Sequence, residues 1–315
     1  MMKILSPIDR AKEALPLIKA GTDEFFCGVI IDQENLGSIR QAGDARKYSL
    51  PSITELKKTV AIIKKNKKKI FLTLNHPVIN RNRRRIVREN IKRLKDLKLD
   101  GFIVSDLGLI DQLKDCGVRV IASSIIETKN EEVVKLLKKF NVRRIIFDRQ
   151  ITLNDMKNII PKFPEIEFET FVMSAGCRSL ISYCRRQLIT KKDKQHIHLC
   201  FADFLIEASK KANPFLDSND RKIVAARLKM PMICCGACAL FQFERFKIAS
   251  VKIVGRGFPS AQKIQSVKFV KSALNILEQG HSKNKFYKKM EELFQKTYRF
   301  KCQRRFCYYP HFFNK

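Results

Sequence analysis

The chain has 315 residues, 45% of them hydrophobic, which excludes a disordered protein and allows one large α/β barrel or two smaller domains. Lys and Arg number 63 against 31 Asp and Glu, and the net charge of +32 suits an anionic partner such as nucleic acid, although solvated lysine-rich helix faces would explain the same excess. No apolar run is long enough to span a membrane and the start has no signal-peptide pattern, so we expect a cytoplasmic protein without a transmembrane segment.

Short apolar runs alternate with helical patterns along the chain. The runs are mostly continuous, as in parallel strands that are buried on both faces. The predicted strands are Lys3–Ile8, Glu24–Ile30, Lys69–Asn75, Gly101–Asp106, Arg119–Ile125, Arg143–Arg149, Glu167–Met173 and Ser250–Arg256. The predicted helices include Ser52–Lys65, which opens with a capping-box pattern, Arg83–Leu97, Asn130–Phe140 and one that opens at Thr152. Eight strands with intervening helices predict a TIM-like (β/α)8 barrel, with an open doubly wound sheet as the alternative.

Polar residues directly follow most of the predicted strands. In a barrel the functional side chains gather where the strands end. The residues at these ends are Asp9, Asn75, His76, Ser105, Asp106, Ser123, Ser124, Asp148, Arg149, Ser174 and Arg256. Each alone is typical of a helix cap or a turn, but together they predict a polar barrel mouth.

Six of the ten cysteines are concentrated in one region. They are Cys177, Cys184, Cys200, Cys234, Cys235 and Cys238. Four thiolates suffice for a 4Fe–4S cluster, whereas structural zinc usually takes two close cysteine pairs. Only Cys235 and Cys238 form such a pair in this region, so the spacing favours a cluster assembled from separate loops. Plain core packing is the alternative, and it is the interpretation we prefer for Cys27 and Cys116; disulfides are rare in a reducing cytosol.

The regular alternation lapses at residues 178–231, which predicts a cysteine-rich insertion between strands 7 and 8 of the barrel. The barrel with this insertion is expected at residues 1–260. A C-terminal helical extension is expected at residues 261–315, with a tail that contains Cys302-x4-Cys307.

The order of several motifs resembles the collagenase-like peptidase family, U32, over about residues 3–260. The motifs lie in Lys19–Phe26, Leu72–Asn75, Asp100–Gly108, Phe147–Leu153, Phe168–Val172 and Val251–Arg256, with Cys177-x6-Cys184 after the fifth. The sequence departs from the family where Met173-Ser174 replaces His-Gly and where Gln150 replaces Glu. Both changes put acid–base catalysis at those positions in doubt.

The resemblance implies a TIM-like barrel that holds a 4Fe–4S cluster. The implied ligands are Cys177, Cys184, Cys200 and Cys235, with Cys238 as an alternative fourth ligand. Several members of the family are oxygen-independent hydroxylases of a ribosomal or transfer RNA base or of a quinone precursor, with prephenate as the implied oxygen donor. The implied function is therefore an iron–sulfur hydroxylase acting on RNA or on a small aromatic substrate. A collagenase-like peptidase and a non-catalytic RNA-binding or assembly factor with a structural cluster are the alternatives.

Five polar residues are candidates for roles in the hydroxylase. Arg149 and Arg256 would hold the carboxylates of the oxygen donor by paired hydrogen bonds. Glu169, Asn75 and Asp106 would orient the substrate or move protons. No Ser-His-Asp or Cys-His pattern argues for a peptidase nucleophile. The sequence leaves open the modified atom, the oligomeric state and the need for a partner subunit.

Overall fold

The computed structural model describes residues 2–31, 34–35, 48–76, 79–173, 233–302 and 307–309. The strands are β1 (Lys3–Pro7), β2 (Glu24–Cys27), β3 (Ile30–Ile31), β4 (Glu34–Asn35), β5 (Lys69–Leu74), β6 (Gly101–Val104), β7 (Val120–Ala122), β8 (Arg144–Ile146), β9 (Glu167–Met173) and β10 (Ser250–Ile253). The α-helices are α1 (Ala14–Ala20), α2 (Ile53–Lys65), α3 (Arg81–Leu94), α4 (Leu107–Leu113), α5 (Glu131–Lys139), α6 (Leu153–Ile159), α7 (Leu240–Arg245), α8 (Ser260–Glu278) and α9 (Lys283–Tyr298).

Eight described strands form a closed parallel barrel in the order β1-β10-β9-β8-β7-β6-β5-β2. Closure is made by β1, which pairs with β10 at Lys3 and Ser250 and with β2 at Leu5 and Glu24. The predicted TIM-like barrel is confirmed, and the open sheet is excluded because the two edge strands meet. The short antiparallel pair of β3 and β4 follows β2 and was not predicted. The predicted insertion at 178–231 lies outside the described residues.

Most predicted strands end earlier in the structure, and in one of them the last polar residues leave the sheet to make contacts at the mouth. The predicted strand Gly101–Asp106 ends at Val104. The Ser105 hydroxyl donates to the carbonyl of His76 at 2.8 Å, and the Asp106 carboxylate accepts from the amide of Leu109 at 2.7 Å to cap α4. The polar residues therefore line the mouth in loops rather than inside strands.

The helix starts follow the predicted capping chemistry in part. Thr152 and Asp155 form a complete capping box at α6. Ser52 caps α2 by accepting from the amide of Glu55 at 3.2 Å, but the Glu55 carboxylate accepts from the amide of Ala11 at 2.9 Å. This carboxylate therefore ties α2 to the segment after β1, which a local pattern does not indicate.

The barrel helices and the C-terminal helices share one hydrophobic core. Helix α8 packs against α1 and β1 and buries Val267, Phe269 and Val270 in the same core as the strands. Helix α9 then packs on α8 through Phe294, whose ring meets Phe269 edge to face. None of the described helices is long and apolar enough to cross a membrane.

Candidate active site at the mouth of the barrel

Cys235 lies at the carboxyl end of the barrel, beside the last residue of β9. It forms an antiparallel bridge with Met173, and the next residue, Gly236, donates its amide to Val172 at 2.8 Å. The amide of Ala237 donates to the Cys235 sulfur at 3.4 Å. Cys238 follows in the single 3-10 turn Ala237–Ala239. The predicted fourth ligand and its alternative are therefore both close to the mouth.

The other three predicted ligands, Cys177, Cys184 and Cys200, lie outside the described residues. Cys177 follows Met173 by four residues in the sequence, a length of chain that spans at most about 14 Å. Because Met173 is bridged to Cys235, the sequence spacing is compatible with both cysteines binding one centre.

The C-terminal tail reaches the same place, which the sequence did not indicate. Cys307 forms a parallel bridge with Cys235, and the amide of Tyr308 donates to the Cys235 carbonyl at 3.0 Å. The buried Tyr309 hydroxyl lies 2.8 Å from the Thr170 hydroxyl and donates to the carbonyl of Phe171 at 2.8 Å. The tail is therefore fixed to β9 by backbone and side-chain hydrogen bonds.

Five thiols are neighbours at this point. Burial raises the pKa of Cys307 to about 11, with smaller contributions in the same direction from Cys302 and Cys234. Burial also raises the pKa of Cys235 well above its ordinary value, and charge on Cys238, Cys307 and Cys302 acts in the same direction. A metal ion would reverse this effect by stabilising the thiolates. Among the described residues no three Cys, His, Asp or Glu side chains are already arranged to hold one metal ion.

The two predicted donor-binding arginines lie at the ends of β8 and β10, on either side of β9. The Arg149 guanidinium lies over the Phe171 ring, 4.9 Å from its centre, and its Nε is buried without a hydrogen-bond partner in the described part of the chain. Arg256 is buried and donates from Nη1 to the Thr73 hydroxyl at 3.0 Å. Asn75, partly buried, directly follows β5. These contacts hold two cations near the mouth.

Glu169 is enclosed by cations inside the barrel. Its Oε2 accepts from Nε of Arg144 at 3.0 Å and lies 2.8 Å from Nη2, and its Oε1 accepts from Lys252 at 3.1 Å. Arg144, which is 1% exposed, also binds Glu24 across the barrel at 2.6 Å. Burial lowers the pKa of Lys252, although Glu169 opposes this. Sequence reasoning missed Arg144 because its partners are far away in the chain.

Asp106 also has a positioning contact. Its two carboxylate oxygens accept from Nε and Nη2 of Arg84 at 2.7 and 3.1 Å, while one of them caps α4. The bidentate pair fixes α3, which carries Arg84, against the start of α4. Asp106 is thus held with little freedom beside the arginine-rich helix α3.

A second buried ion network follows β1. Asp9 Oδ2 accepts from Lys263 and from the amide of Gly257, both at 2.6 Å, and Glu13 accepts from Lys263 at 2.8 Å. Asp9 Oδ1 is buried without a hydrogen-bond partner within the described residues. Lys263 lies on α8, and no local pattern distinguishes it from the chain's many surface lysines.

The family model of peptidase family U32 matches residues 10–311. The chain therefore belongs to peptidase family U32. The match extends through the C-terminal tail, further than the motifs alone indicated. The solved structure of the U32 peptidase Mk0906 has the same fold, with a TM-score of 0.53 and 14% identity over 82% of this chain and 94% of that chain.

Curated relatives match a shorter region. An uncharacterised protease of Methanocaldococcus jannaschii, MJ0090, is 28% identical over 188 residues, which is 58% of this chain and 43% of that protein. The tRNA hydroxylation protein P of Helicobacter pylori (strain J99) is 23% identical over 185 residues, 58% of this chain and 42% of that protein. The protein of the same name from Haemophilus influenzae is 26% identical over 119 residues, 37% of this chain and 26% of that protein. The matched region thus spans less than half of each relative.

Proposed function

We propose that this protein is an iron–sulfur hydroxylase that acts on RNA, with transfer RNA as the first substrate to test. The observation that carries the proposal is the bridge between Met173 and Cys235, which places one thiol beside the point where the chain runs on to Cys177. The names of the relatives from Helicobacter pylori and Haemophilus influenzae favour transfer RNA over ribosomal RNA or a quinone precursor.

The proposed 4Fe–4S ligands are Cys177, Cys184, Cys200 and Cys235, with Cys238 as the alternative to Cys235. The donor set fits, because thiolates are the ordinary ligands of such clusters and amide hydrogen bonds to the sulfurs tune their potentials. The amide of Ala237 makes such a bond to Cys235. When bound, the cluster would supply one-electron chemistry, while the protein would hold and orient the substrate.

The oxygen donor is proposed to be a small carboxylate such as prephenate, bound between Arg149 and Arg256. The unbonded Nε of Arg149 is a donor with no partner in the described structure, and a carboxylate oxygen would satisfy it. Arg256 is held by Thr73, so its guanidinium is pre-positioned. The two guanidinium groups are proposed to bind the small anion from either side, next to the proposed cluster.

The RNA backbone is proposed to bind along α3. The helix exposes Arg81, Arg85 and Arg88, and Arg84 fixes it to the mouth through Asp106. Arginines on one face suit phosphates because each guanidinium donates in a fixed fork and each contact releases counterions. The substrate base would then reach the mouth from the α3 side.

Glu169, Asn75 and Asp106 keep proposed roles that follow from their contacts. Glu169 and Asp106 both carry ion pairs, so they are proposed to hold Lys252 and Arg84 in place rather than to exchange protons freely. Asn75 follows β5 at the mouth and is proposed to orient the substrate.

The test is anaerobic purification followed by iron and sulfide counting, then incubation with transfer RNA and prephenate and mass analysis of the nucleosides. We expect about four iron and four sulfide per chain and a nucleoside that has gained one oxygen atom. Cys235→Ser should lose iron and activity. Cys116→Ser is the matched control, because Cys116 lies after α4 and bonds Gln112, and it should keep both.

Three results would contradict the proposal in different ways. Iron-free protein would exclude the cluster. A loaded cluster with bound but unmodified RNA would indicate a non-catalytic factor. Gelatin cleavage that disappears with the cluster would indicate a peptidase, as the family's name suggests.

A further inference from the structure

The tail cysteines Cys302 and Cys307 have no role in the proposed cluster, yet the fold brings them to it. Cys307 forms a β-bridge with Cys235, and Tyr309 anchors the tail through its two hydrogen bonds at β9. The ring of Tyr309 also lies so close to Gly236 that a Cβ there would be 2.8 Å from it. The thiols are therefore held near the 234–238 segment by specific packing.

The spacings of the two segments are those of metal-binding pairs. Residues 234–238 contain three cysteines, and Cys302-x4-Cys307 adds two. Structural zinc sites typically use two pairs of cysteines, and the two cysteines of each pair are separated by two to four residues. If the cluster takes Cys235, the four thiols that remain form the pairs Cys234-x3-Cys238 and Cys302-x4-Cys307.

The sulfurs also have matching hydrogen bonds. The amide of Ala237 donates to Cys235 at 3.4 Å, and the amide of Tyr309 donates to Cys307 at 3.3 Å, each from two residues further along the chain. Amide donors directed at sulfur stabilise the thiolate over the thiol. Two segments with the same local geometry therefore face each other across one bridge.

From this arrangement we propose a second metal site, in which Cys302 and Cys307 bind one zinc ion together with two thiols of segment 234–238. These two are the thiols that do not bind the cluster, which are Cys234 and Cys238 when Cys235 is the cluster ligand. The site rests on the proposed function only for the choice of the cluster thiol. The described thiols do not yet surround one point, so binding requires side chains to rotate while the backbone bridge stays. The ion would fasten the tail over the end of β9.

The experiment measures zinc and iron separately in the anaerobically purified full-length protein supplied with zinc. We expect about one zinc ion per chain. The double variant Cys302→Ser/Cys307→Ser should lose this zinc and keep its iron. Cys177→Ser should lose iron and keep zinc, and Cys116→Ser should keep both. If the protein contains no iron but still binds zinc through the tail cysteines, the proposed cluster is contradicted and the proposed zinc site is not.

Alkylation gives a second measurement that does not depend on variants. In wild-type protein, a thiol reagent should modify Cys302 and Cys307 after chelation, and added zinc should protect them. The zinc site is refuted by wild-type protein without zinc, by zinc that persists in the double variant, by iron lost in place of zinc, or by a native disulfide between the two tail cysteines.

Discussion

The buried arginine inside the barrel gives the sharpest test of how this fold is stabilised. Arg144→Met keeps an unbranched apolar side chain, shorter than that of arginine, and removes the cation that binds Glu24 at 2.6 Å and Glu169 at 2.8 Å. Both carboxylates are 1% exposed, so water cannot replace the arginine. Glu169 retains Lys252 at 3.1 Å, whereas the cation that remains to Glu24 among the described residues is Lys3 at 3.8 Å. Removing one partner of a buried pair costs about 3–5 kcal/mol, and the poorly compensated Glu24 favours the upper half of that range.

The assay is equilibrium unfolding in urea, where a loss of about 4 kcal/mol lowers the midpoint by more than about 1 M. The matched control is Arg119→Met, because Arg119 binds Glu167 at 2.8 Å with both side chains about one-third exposed. That variant should lose only about 0–1 kcal/mol. Adding Glu24→Gln to Arg144→Met should recover part of the lost stability, because it removes the buried negative charge that Arg144 no longer neutralises. Equal losses for Arg144→Met and Arg119→Met, or no recovery, would refute the reasoning.

Three further outcomes follow from other contacts. Burial raises the pKa of Glu13, but Lys263 and hydrogen bonds from Ser260 and the amide of Asp9 together lower it overall, so this carboxylate stabilises the fold above about pH 4.3 and the stability is lost in acid. Glu13→Gln should therefore lower the urea midpoint at neutral pH and flatten its fall in acid; an unchanged acid profile would contradict this. Tyr309→Phe should cost about 1 kcal/mol and expose the tail to proteolysis, and an equally protected tail would count against its docking. Gly28→Ala places a Cβ 2.6 Å from the Ser49 hydroxyl oxygen and 3.0 Å from Nη1 of Arg256, so both side chains should shift and the KM for the oxygen donor should rise with little change in kcat, whereas an unchanged KM would count against Arg256 as a donor ligand.

Much of the barrel could be predicted because its signals are local. The strand Glu167–Met173 has the predicted bounds, and a helix begins after Thr152 as predicted. Continuous apolar runs indicate strands that are buried on both faces, and capping patterns indicate short-range hydrogen bonds. Both signals involve residues that are close together in the chain. The ends of most strands could not be predicted, because apolar content continues past the last ladder bond.

The candidate site was predictable in its location but less in its contacts. Arg149 and Arg256 lie at the predicted strand ends, as the rule for parallel barrels requires. Glu169 was expected to be available for catalysis, yet it lies between Arg144 and Lys252. Nothing in the sequence near Glu169 indicates a partner on β8 or on β10.

The sequence by itself determined the alternation of strands and helices, the polar mouth and membership of the family, because each depends on residues that are close together in the chain or on a fixed order of motifs. Only the tertiary structure decided that the barrel closes, that Arg144 meets Glu24 across 120 residues, and that Cys307 lies beside Cys235. The physical reason is that these contacts form when β1 pairs with β10 and when the tail packs on β9. Both events join segments that are far apart in the chain, and the local pattern of one segment does not indicate its contact with the other.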